Sequence, residues 1–86
     1  MKDKIVESIG QVDLSGLVCP AVAVYKSPKD YPGKCVGRVF DINRPTDTVI
    51  LKDTVEEIHW DIQEHTEMTF FERLPWDDEK IVGTWV

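Results

Sequence analysis

Two histidines and two cysteines supply all the imidazole and thiol chemistry available to this 86-residue chain. His59 and His65 stand six positions apart, about 120° from each other around a helix, so one helix cannot turn both toward one metal. No Cys-x-x-Cys, His-x-x-x-His or His-Glu-x-x-His spacing occurs. Cys19 or Cys35 beside a histidine would make a nucleophile pair. Both cysteines fall in apolar stretches, where a thiol packs rather than reacts. No serine sits in a nucleophile elbow, and no glycine-rich loop opens a helix to hold phosphates. No catalytic residue, metal ligand or cofactor is therefore assigned.

Three further groups have side chains suited to binding. Lys26, Lys29 and Lys34 surround Tyr31 in one loop, an arrangement that suits a phosphate-bearing ligand and equally an ordinary solvated surface. Asp77, Asp78 and Glu79 form a compact carboxylate cluster without the ligand spacing of a calcium loop, so it reads as a hairpin tip. Trp60 falls nearly opposite Ile58 on a helical wheel, beside Glu56, Glu57 and Glu64. A large aromatic among carboxylates is a partner anchor, unless the N-terminal segment or a strand folds over it. Trp76, in a turn, is a weaker version of the same, and Trp85 belongs to the core.

The elements that must position these groups are legible from pattern. Residues 49–62 run from a short strand straight into a helix. Asp53 and Thr54 are N-cap types, and Glu56 and Glu57 follow each at the capping-box spacing. The helix is expected over residues 54–64, with Val55, Ile58, Ile62 and His65 on its apolar face and His59 at the margin. Residues 17–25 are continuously apolar, as in a strand covered on both sides, with Pro20 near its start. Residues 35–42 make a second strand, Val36, Phe40 and Ile42 on one face and Arg38 interrupting it. Residues 43–47 turn into a third strand at 48–52. Residues 68–74 and 80–86 complete the set. Ile5, Val6, Ile9 and Val12 make residues 1–16 a short helix or an ordered arm. The sum is an α+β domain: a mostly antiparallel sheet of four to five strands with one amphipathic helix across it.

Length allows one domain, residues 1–86, and too small a core for great stability, so association with a copy is an open option. No apolar run is long enough to span a bilayer, and the N-terminus lacks a signal peptide's apolar stretch. A cytoplasmic location is expected, and there two cysteines are thiols rather than a bridge, although two strand cysteines are able to face one another. Charge is uneven. Residues 1–52 hold eight Lys/Arg against six Asp/Glu, whereas residues 53–86 hold two against ten. Such a surface repels nucleic acid and anionic membrane and suits a protein partner, a basic one in particular.

Residues 31–41 (YPGKCVGRVFD), Pro45-Thr46, residues 52–58 (KDTVEEI) and residues 81–86 (IVGTWV) resemble a group of short bacterial proteins of unknown function associated with Firmicutes and their mobile elements. Residues 20–25 (PAVAVY) and 52–58 are also similar to the first strand and helix entry of HicB-type antitoxin domains, which have a β-β-β-α-β order and a partial ribonuclease-H-like fold. That likeness implies an antitoxin-like protein bound to a basic toxin. The family's Leu-Pro-Gly turn is replaced by Arg44-Pro45-Thr46, and no DNA-binding segment follows. The residues together lead to a non-enzymatic protein-interaction module with an acidic helix face. A small enzyme or ligand binder with an unmarked site is the alternative.

Overall fold

Alternating β-branched residues build the centre of the molecule. In the computed structural model, which describes residues 3–86, Pro20–Lys26 (β2), Cys35–Asp41 (β3) and Arg44–Lys52 (β4) form an antiparallel meander, preceded by a short strand Lys4–Val6 (β1). Val55–His65 (α1) follows, then Phe70–Glu72 (β5) and Ile81–Trp85 (β6). The six-stranded sheet has the order β1-β4-β3-β2-β6-β5, and only β1 pairs in parallel, with β4. The fold is α+β, as expected, with one strand more.

That extra strand stands where a short helix or an ordered arm is expected, and corrects the first of these. Residues 1 and 2 lie outside the described residues; from there the chain forms β1 and then two single 3-10 turns, Ile9–Gln11 and Leu14–Gly16. The Ser8 and Asp13 side chains accept from the Gly10 and Ser15 N–H groups and start those turns. Val6, Ile9 and Val12 share a three-residue spacing because all three pack down on the core. Their backbone is a crossover: β1 and β2 both run parallel to β4's direction, and residues 7–19 carry the chain between them. A parallel return needs about a dozen residues, which this segment supplies.

The helix forms where its cap and periodicity place it. The Thr54 hydroxyl accepts from Glu57 N–H, and the Glu57 carboxylate accepts from Thr54 N–H in return. Glu56 and Glu57 also face the positive end of the helix dipole. Ile58 and Ile62 descend onto Val22, Val24, Val39 and Ile50, with Ile9 closing the layer. Each such side chain, fully buried, contributes about 1.5–3 kcal/mol. Trp85 is core, and Phe70 lies so close to Gly83 that its ring leaves no room for a Cβ there.

Val36 and Phe40 share one face with Arg38 between them, as expected, and it is the face away from the helix, because Cys35, Gly37 and Val39 face α1. Two other strand details differ from expectation. The turn between β3 and β4 is only Ile42-Asn43, both with positive φ (51° and 61°), and β4 starts at Arg44. Cys19 lies exposed before β2 while Cys35 is buried at the far end of the β2–β3 pair, so the thiols do not face one another. No helix of the described residues is long and apolar enough to cross a membrane.

Candidate site on the outer face of the helix

Helical spacing puts Ile58 and Ile62 inside and turns Trp60 out, where it is 62% exposed. The N-terminal segment does not fold over it. Trp60 forms one wall of a depression of about 450 Å³, completed by Lys52 from the end of β4 and by Glu56, Glu57 and Asp61 from α1. Glu64 is exposed one turn beyond Trp60 on the same row and lies outside that depression. A smaller hollow of about 290 Å³ adjoins it through Lys52 and Glu57 and includes Lys34 and Asp53.

Asp61 is the residue sequence reasoning missed. It is 4% exposed, and its two carboxylate oxygens accept from the Ser8 hydroxyl at 2.6 Å and the Ile9 N–H at 2.6 Å. His65, the next turn on, places Nδ1 2.8 Å from the Asp61 carbonyl oxygen and 3.3 Å from its carboxylate. Serine, aspartate and histidine thus meet, but the carboxylate stands between the other two. The Ser8 hydroxyl donates to Asp61 and accepts from Gly10 N–H, so it is committed to shaping the turn. A Cβ on Gly10 would lie 2.7 Å from the His65 ring, which explains glycine there. The cluster ties the crossover to the helix. Its only sequence signal was an acidic residue adjoining the helix's apolar stripe.

The remaining candidates are dispersed. His59 packs edge-on against Phe70, ring centres 4.5 Å apart, and beside Trp85; burial pushes its pKa below the ordinary 6.5. Trp85 Nε1 is buried with no hydrogen-bond partner among the described residues, so that ring acts as apolar bulk. Burial raises the Cys35 thiol above its ordinary range, the reverse of what a nucleophile needs. Asp77 accepts from Leu74 N–H and Asp78 from Lys80 N–H, so both brace their own hairpin. Among the described residues no three His, Cys, Asp or Glu side chains are grouped to hold a metal. Trp76 is exposed at the hairpin tip rather than tucked onto the sheet.

The loop around Tyr31 does not gather its lysines. The Tyr31 hydroxyl donates to Asp3, and Arg38 clasps the same carboxylate with both guanidinium nitrogens at 3.1 and 2.9 Å. Asp30 adds a further contact to Arg38, and Thr46 offers its carbonyl. Lys34 points the other way, to Asp53 at the helix entry, and Lys26 and Lys29 are exposed. The loop is thereby tied to the sheet's far face through Asp3 and Arg38. Beside it a groove of about 310 Å³ stays open, lined by Ala21, Ala23, Tyr25, Phe40, Thr84 and Val86 among others. No family model, curated protein or solved structure matches this chain.

Proposed function

We propose that this protein is a non-enzymatic interaction module whose contact surface is the outer face of α1, centred on Trp60 with Glu56, Glu57 and Glu64 around it. The exposure of Trp60 beside a depression carries the reading. An aromatic side chain left in water gives up the burial that the fold offers its neighbours, and tryptophan is the side chain most often found at the energetic centre of protein interfaces. The Ser8–Asp61 and Ile9–Asp61 bonds support it by bracing the wall beside Trp60, since a contact site works best when little must be ordered on binding.

The test compares wild-type and Trp60→Ala baits from one host extract by mass spectrometry, with urea unfolding and sizing of both proteins. A partner recovered by the wild type is expected to disappear with Trp60→Ala, while stability changes by less than about 1 kcal/mol, as for an exposed site. Identical recovery and identical sizing from the two baits would remove the proposal.

A further inference from the structure

Resting on that reading of the helix face, we infer that the partner is a cationic amphipathic segment of another protein, laid along the row Glu56–Trp60–Glu64. These three residues recur at intervals of four, so they line up on one side of α1, about 6 Å apart and about 12 Å end to end. Residues 53–72 contain seven carboxylates and no lysine or arginine. A helix that is merely solvated usually mixes signs, because Glu–Lys pairs four apart add stability. Among the described residues no ion pair reaches Glu56, Glu57 or Glu64. Glu64 lies in the last turn, where the helix dipole disfavours an anion, so the isolated fold gains nothing from its charge.

Charge selects the occupant. A second copy docked through the same face would set two carboxylate rows against each other. Nucleic acid and anionic lipid are repelled for the same reason. An arginine or lysine of the partner stacks its stem and cation on the Trp60 ring, and flanking cations reach Glu56 and Glu64. Apolar residues of the partner that adjoin its cations enter the depression beside Trp60.

Calorimetric titration with synthetic amphipathic helical peptides tests this, the polar face being all arginine, all glutamine or all glutamate. The arginine peptide is expected to bind, more weakly as salt is raised, and the glutamate peptide to show no binding. Glu56→Gln with Glu64→Gln is expected to weaken it about three- to tenfold, whereas Glu72→Gln with Glu79→Gln, the same change in net charge, leaves affinity unchanged. Equal weakening by both pairs would reduce the attraction to net charge and overturn the inference. If the glutamine peptide binds as tightly as the arginine peptide and Trp60→Ala abolishes both, the cationic partner falls and the binding surface stands. If Trp60→Ala changes neither titration nor extract capture, both fall.

Discussion

Ile42 is the residue whose conformation its own chemistry least favours. A two-residue hairpin loop with positive φ at both positions is the turn that matches strand twist, and asparagine and glycine fill it without cost. Asn43 conforms, but a β-branched side chain in the left-handed region costs about 1–2 kcal/mol. Half-exposed, Ile42 recovers little of this by burial. Its N–H donates to the Cys19 carbonyl, an interaction any residue at that position keeps. Ile42→Asn is therefore expected to raise the free energy of unfolding by about 0.5–1 kcal/mol, read from the urea midpoint at constant slope. A fall in midpoint would show that the partial burial of Ile42 outweighs its strain.

At the scale of elements, the Asp61 carboxylate hydrogen-bonds the crossover to the helix, beside the apolar packing of Ile9. Asp61→Ala leaves the Ser8 hydroxyl and the Ile9 N–H without their acceptor, one of them buried. Hydrogen bonds to a charged group contribute about 1.5–3 kcal/mol each, and a buried donor left unpaired adds its desolvation cost. Asp61→Ala is expected to destabilise by about 2–4 kcal/mol, and its neighbour Trp60→Ala by under about 1 kcal/mol. Hydrogen exchange of the Ile9 and Val12 amides should accelerate first, since the crossover detaches before the sheet opens. Equal losses at the two positions would mean that the crossover is held by its apolar side chains alone.

Across the whole molecule, the sheet is covered unequally on its two faces. α1 and the crossover close one face; on the other, Arg38 draws together Asp3 before β1, the loop residue Asp30 and the β4 backbone. The guanidinium, with the Tyr31 hydroxyl next, lowers the Asp3 carboxyl from its ordinary 3.8 to about 2. A carboxyl lowered by folding stabilises the folded state above its unfolded pKa. That contribution is present above about pH 4 and is lost as pH falls from there toward about 2. Asp3→Asn is expected to flatten the fall in urea midpoint over this interval and to leave the pH 5–7 region parallel to the wild type. An unchanged acid limb would show that the clasp is already broken in solution.

Local patterns were sufficient for the cores of the three central strands, the capping box and the Ile58–Ile62 stripe of α1, because a strand's alternation and a helix's cap act over a few residues. His65, expected on that stripe by the same period, is exposed, and Asp61 is buried there instead. Trp85 was legible as core and Trp60 as misplaced for a core residue by the same periodicities. Tertiary structure decided what depends on distant partners. β1 is three residues long and pairs only because β4 offers an edge, so nothing local announces it. Asp61 is buried because Ser8 and Ile9, more than fifty positions away, arrive to satisfy it. Arg38 interrupted a pattern that belonged to the far face, where Asp3 waits as its counter-ion. Which face of a strand is covered, and which charge is paired, follow from packing between segments far apart in the chain, and local periodicity carries no record of that.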